Sequence, residues 1–192
     1  IGGIPGSGIL NGRAWHDADF DNLFDGTELK LAGWSVQVYA NGSLLGSALT
    51  DANGLFTVSG LAPNFGTANQ YEIRFRAPAA GATTALLGLA DSVFTNNLQR
   101  ISAIVVASGS NLQNLNLPID PDGVVYNSIL RGPVPGTTLV MLRAATQMPL
   151  PASCFDDSAQ QGQVTLAPGY YKFDLNFSDP SCPSGADYLI QA

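Results

Sequence analysis

Residues Asp17 to Glu28 hold five carboxylates in twelve positions, a third of the fifteen acidic residues in the chain. Asp17, Asp19 and Asp21 alternate, Asp25 stands ninth and Glu28 twelfth. Alternate acids in a tightly curled loop can converge on one point. The backbone carbonyl of Leu23 can add an oxygen, and Glu28 can grip with both of its own. This is the ligand spacing of a calcium loop of the EF-hand type. Ca2+ is a hard cation that takes roughly six to eight oxygens, and it needs neither imidazole nor thiolate. The sixth position, usually glycine, is Asn22, which tolerates the left-handed backbone of a sharp turn. Phe24 fits the apolar eighth position. The alternative is a solvated acidic loop with no ion.

The flanks decide what such a loop does. Gly12–His16 precedes it. In the stretch after it, Trp34, Val36 and Val38 alternate with Ser35, Gln37 and Tyr39, which is strand periodicity. A calcium loop between strands is expected to staple a sandwich, not to open a helix pair as a sensor does.

The chain has 192 residues, room for one large domain or two small ones. Hydrophobic residues make up 45%, enough for a core, whereas charged residues make up only 12%. The net charge of -7 and pI near 4.3 argue against nucleic acid and against anionic membrane surfaces. Bound Ca2+ would neutralise part of that charge. The most apolar stretch, 79–107, is broken by Asp91, Asn96, Asn97, Gln99 and Arg100, so no membrane insertion is expected. With no initiator methionine, signal peptide or sorting tail, the sequence reads as a piece of a longer or processed protein.

Cys154 and Cys182 are the only cysteines. An even count, few lysines and a calcium loop together suggest an oxidising exterior, and so a Cys154–Cys182 disulfide. Two buried thiols are the alternative. The one histidine, His16, reads as a turn residue and offers no metal cluster or nucleophile–base pair, so no enzyme is expected.

Strands are expected at 9–15, 34–39, 44–49, 55–58, 71–76, 100–106 and 111–117. Asn41-Gly42 is a hairpin turn, and Asp51-Ala52-Asn53-Gly54 is a second turn. Pro118–Gly123 reads as a stiff boundary. Asp120 and Asp122 there are expected to cap a turn, with a second ion as the alternative. The pattern then restarts. Val134-Pro135-Gly136 mirrors Leu31-Ala32-Gly33, and Gln161–Leu166 echoes Asn53–Val58. Tyr171, Phe173, Leu175 and Phe177 alternate as a strand. The acidic loop is replaced by Asn127–Gly132. The expectation is an all-β chain of two tandem Ig-like or transthyretin-like β-sandwich domains. A lead-in or exchanged strand spans 1–7, a calcium-binding sandwich 8–119, and a disulfide-stapled sandwich 120–192.

Trp15-His16 and the acidic loop, then Leu31–Tyr39, Thr50–Phe56 and Gly60–Pro63, resemble the B-type repeat of bacterial serine-aspartate-repeat surface adhesins. The resemblance covers about residues 8 to 77. Residues 120–192 resemble a related module of very large secreted bacterial repeat proteins. The resemblance implies a collagen-adhesin B-type or transthyretin-like sandwich, with Asp17, Asp19, Asp21, Asp25 and Glu28 as calcium ligands. It also implies a non-catalytic stalk or fibre segment outside the cell, whose partners are neighbouring domains or copies of the same chain. The alternative is an adhesive module that binds carbohydrate or protein through loop aromatics such as Phe65, Phe94 or Phe155.

Overall fold

The computed structural model describes residues 6–65, 70–78, 86–166 and 168–192. Residues 1–5, most of the expected lead-in, lie outside them. The chain divides into two compact units, Ile1–Ala77 with Gly88–Asp120 and Pro78–Leu87 with Pro121–Ala192. The described residues are almost all strand and turn, as the alternating sequence requires.

The first unit is built around β1 (Gly8–His16). Leu10, Gly12 and Ala14 face inward at every second position. After it come β2 (Leu29–Lys30), β3 (Ser35–Ala40), β4 (Ser43–Leu49), β5 (Leu55–Leu61) and β6 (Tyr71–Arg76). Then follow β7 (Thr95–Asn97), β8 (Arg100–Ile104), β9 (Asn111–Leu112) and β10 (Leu117–Ile119). One sheet gathers β5, β9, β2 and β10 around β1, and the other runs β4-β3-β6-β8-β7. Leu10, Val36, Val38, Ile73, Phe75, Ile101 and Leu117 are buried in this unit. Phe56 of one sheet meets Phe75 of the other edge-on at 5.7 Å, a favoured aromatic geometry. The β3–β4 hairpin turns at Asn41 and Gly42, both left-handed at φ 50 and 79, as a type I′ turn needs.

The stretch 111–117 is not the single strand that its alternation suggests. It forms β9 and β10, both parallel to β1, with Asn114 at φ 59 between them. Between them the Leu115 amide donates to the Asn11 carbonyl at 3.1 Å. Gly12 makes this possible, since a Cβ there would lie 1.9 Å from the Leu115 carbonyl oxygen. Strand β10 also runs through Pro118 to Ile119, beyond the point where the prolines suggested a break. His16 is not in a turn; it ends β1, opposite Leu29 and Ile119.

The second unit holds β11 (Gly123–Val124), β12 (Tyr126–Asn127), β13 (Gly132–Pro133), β14 (Thr138–Arg143) and β15 (Met148–Pro149). It continues with β16 (Gln163–Val164), β17 (Tyr170–Tyr171) and β18 (Tyr188–Gln191). Its alternating run 171–177 is strand only at its start; Leu175 makes one further bridge, to Phe155. Asp122 accepts the Phe173 amide at 2.8 Å, and its carboxylate lies 4.0 Å from Lys172 Nζ. That is a structural role within the unit.

The two units share one hydrogen-bond knot. In the first, Thr50 Oγ1 donates to the Leu31 carbonyl at 2.6 Å and accepts the Trp34 amide at 2.9 Å. In the second, Thr165 Oγ1 donates to the Val134 carbonyl at 2.8 Å and accepts the Thr137 amide at 3.0 Å. The backbone bonds match as well: the amides of Gly33 and Gly136 donate to the carbonyls of Thr50 and Thr165, each at 2.9 Å. Ala14 N–H donates to Gly54 O, and Val125 N–H to Gly169 O, again at 2.9 Å each. Gly54 and Gly169 are left-handed, at φ 73 and 76. The knot corrects the register of the repeat: Thr165 is the counterpart of Thr50, not of Thr57. Strand β18 then corresponds to β6, with Ile190 at the place of Ile73.

Residues 150–162 are the insertion that hid this register, since they interrupt the counterpart of β4. They carry Cys154, which is joined to Cys182 with Cα atoms 5.8 Å apart. Both cysteines are fully buried among Leu139, Met141, Leu150, Phe155 and Phe173.

Replacing Thr50 or Thr165 by valine is expected to leave a buried amide without its acceptor. Each change should cost its own unit about 1–3 kcal/mol in denaturant unfolding. Reducing the disulfide should destabilise the second unit by about 3.5 kcal/mol, the loop-entropy value for a separation of 28 residues.

Candidate metal centre

The acidic loop leaves the end of β1 and returns at β2, with its first residue tied down. Asp17 N–H donates to the Ile119 carbonyl at 2.9 Å, so β10 anchors the start of the loop. Asp17 itself is buried, and its two oxygens accept the amides of Asp21 at 3.2 Å and Asn22 at 3.0 Å. These bonds curl the chain back on itself. Phe20 and Asn22 take left-handed conformations, at φ 63 and 59. Phe24 packs inward, edge-on to Trp15 at 6.0 Å and under the Arg13 guanidinium at 3.8 Å.

Asp17, Asp19 and Asp21 come together, each offering an oxygen within 4.8 Å of the others. Asp25 and Glu28 stand outside that trio. Glu28 is largely buried and clasps the loop, accepting Ala18 N–H at 3.0 Å and Asp25 N–H at 3.1 Å. Asp25 accepts both the amide and the hydroxyl of Thr27, at 2.7 and 2.6 Å. Leu23 is exposed, and its amide donates to Asp21 at 2.7 Å. Thr27 was not singled out from the sequence. Its signal is the Asp-x-Thr spacing of a side-chain-capped turn.

The electrostatics of the trio favour a cation. Lost hydration, then the neighbouring Asp21 and Asp17 charges, raise the Asp19 carboxyl above its ordinary value. Ionised Asp19 therefore opposes folding above its ordinary pKa of 3.8, and either a proton or a cation relieves that opposition. The hydrogen bonds from Thr27 lower Asp25 instead. Its contribution is present above its ordinary pKa of 3.8 and lost as pH falls through its lower folded value. Three carboxylates with no nitrogen or sulfur donor fit Ca2+. A second cluster, Cys154, Cys182 and Asp179, offers no thiolate because the sulfurs are bonded to each other.

Beside the loop, within the first unit, runs a groove of about 610 Å3. Asn11, Arg13, Asn22, Gln113 and Asn116 line it next to Trp15. Of the aromatics expected to bind a ligand, Phe65 is exposed, Phe94 is half-buried, and Phe155 is buried in the disulfide core. Phe155 is therefore a packing residue.

No protein-family model and no curated protein matches the chain. Among solved structures, it is similar to the Bacillus anthracis TIE protein at 14% identity and TM-score 0.40, over 97% of this chain and 29% of that one. It is similar to the shaft pilin SpaA from Lactobacillus rhamnosus GG at 11% identity and TM-score 0.34, over 74% of this chain and 62% of that one. A streptococcal ancillary pilin gives 11% identity and TM-score 0.35, over 97% of this chain and 59% of that one. The chain thus spans less than two thirds of each. Likeness at this level carries no argument about activity.

Glu28→Ala should release two amides and open the loop. The expected loss is about 1–3 kcal/mol in the first unit, with faster hydrogen exchange at Ala18 and Asp25.

Proposed function

We propose that this chain is a non-catalytic structural segment of a bacterial cell-surface or extracellular protein. In this reading it is a stalk or fibre piece stiffened by Ca2+ in the loop Asp17–Glu28. The observation that carries the reading is the trio Asp17, Asp19 and Asp21, held where β1, β2 and β10 meet. An ion there would tie three strands through one loop and remove the repulsion among the acids. Asp17, Asp19 and Asp21 would be the first ligands, with Leu23 through its carbonyl, Asp25 and Glu28 as the further candidates. The resemblance of residues 8–77 to surface-adhesin repeats supports the bacterial and extracellular setting. The buried disulfide agrees with an oxidising compartment. Among the described residues, no helix is long and apolar enough to cross a membrane. The partners in this reading are neighbouring domains or further copies.

A second reading, a binding module, draws on the groove beside the loop. Its amides next to Trp15 suit a sugar, and a reproducible hit on a glycan array would favour it.

The structural reading is tested by melting with calcium and with chelator. At calcium a hundredfold above the dissociation constant, the first unit should gain about 2.7 kcal/mol, a rise of roughly 10 °C or more. Asp17→Asn with Asp19→Asn should abolish the rise. Identical melting curves in calcium and in chelator would end the reading.

A further inference from the structure

Two donors in the first unit lack an acceptor, and both line one groove. Trp15 is 1% exposed, and its indole Nε1 is one of two buried side-chain polar atoms without a hydrogen-bond partner among the described residues. A buried donor left in that state is costly. Arg13 is half-buried, and among the described residues its guanidinium meets the Phe24 ring and no carboxylate. An aromatic ring supplies no oxygen to the N–H donors of a guanidinium. Both side chains line the groove of about 610 Å3 beside the acidic loop, and every residue that lines it is described.

Two asparagines add to this. Asn22 in the loop and Asn114 in the break between β9 and β10 line the same groove, and both hold a left-handed backbone at φ 59. Glycine takes that conformation at least cost. Asparagine keeps a carboxamide there, and among the described residues neither side chain has a hydrogen-bond partner. Arg13 and Asp91 are the only charged residues that line the groove.

We propose that the groove binds a saccharide of uronic acid units, with a carboxylate on Arg13 and ring hydroxyls on Asp91, Asn22 and Asn114. The groups present select this class. A guanidinium holds a carboxylate by paired N–H donors. A carboxamide both donates and accepts, and ionised Asp91 only accepts, so each suits a hydroxyl. A bare anion would gain nothing from Asp91, and a neutral sugar would leave Arg13 without its counter-charge. Leu23 and Leu55, exposed on the same groove, offer apolar contact to the C–H faces of the rings. A ligand oxygen, directly or through one trapped water, supplies the acceptor that Trp15 Nε1 lacks. This deepens the binding-module reading of the groove and rests on it. It asks nothing of the calcium loop.

Two-dimensional 1H–15N spectra of the whole 192-residue chain test it, because two tryptophans give two indole signals. Titration with trigalacturonate, without added calcium, should move the Trp15 indole signal. Trp34, which does not line the groove, should stay in place. Arg13→Gln should weaken binding roughly tenfold or more, down to the level of maltotriose, a neutral sugar of the same length. Asn22→Gly and Asn114→Gly should each weaken binding while the melting temperature holds or rises, since glycine suits both positions. Equal affinity for trigalacturonate and maltotriose overturns the proposal and leaves a sugar site standing. So does a trigalacturonate affinity that Arg13→Gln does not change. Binding of neither sugar at millimolar concentration removes the proposal and the binding-module reading together.

Discussion

The pairing of β1 on both of its edges is the constraint on which the first unit depends. Along its first half it holds β5 and β9, and along its second half β2 and β10. Such a strand has no free edge to slip or aggregate. At one point, Gly12, it has no room for a side chain, because the Leu115 carbonyl approaches there. The acidic loop inherits this order. It begins where β1 ends, and its first amide is fixed to the last residue of β10. A rigid frame thus holds Asp17, Asp19 and Asp21 near one another at a cost in repulsion, which is the condition under which a cation has most to offer.

The two units solve one problem twice. Both close around a buried threonine that binds the same three backbone positions. They diverge at the link between their first two counterpart strands. His16 and Leu29 are joined by the twelve residues of the acidic loop, while Asn127 and Gly132 are joined by four. The short link is a turn capped by Asn127, whose side chain accepts the amides of Ile129 and Leu130 at 2.9 Å. No charge gathers there. The second unit places its staple elsewhere, in the insertion that carries Cys154. A small sandwich with a marginal core gains from either device.

Much of this was legible in the sequence where local chemistry decides the outcome. The alternation of Tyr71–Arg76, the Asn41-Gly42 turn and the Val134-Pro135-Gly136 echo are short-range signals, and the structure follows them. Three features were hidden, each for its own reason. The break at Asn114 exists because Gly12, about a hundred residues earlier, leaves a space for Leu115. The register of the repeat was obscured by the insertion 150–162, which shifted the apparent match by several positions. Within the loop, the spacing pointed to five carboxylates on one centre. The structure gathers Asp17, Asp19 and Asp21 and turns Glu28 and Asp25 onto backbone and hydroxyl donors. Spacing reports which side chains can converge; the hydrogen bonds that compete for their oxygens appear only in the folded chain.

In the proposed reading the loop Asp17–Glu28 holds one divalent ion. Equilibrium dialysis of the chain against radioactive calcium measures this without reference to stability. One bound ion per chain is expected at saturation, and none when Asp17, Asp19 and Asp21 are all replaced by asparagine. Retention of no calcium by the unaltered protein at millimolar concentration, or equal retention by the triple variant, would contradict it.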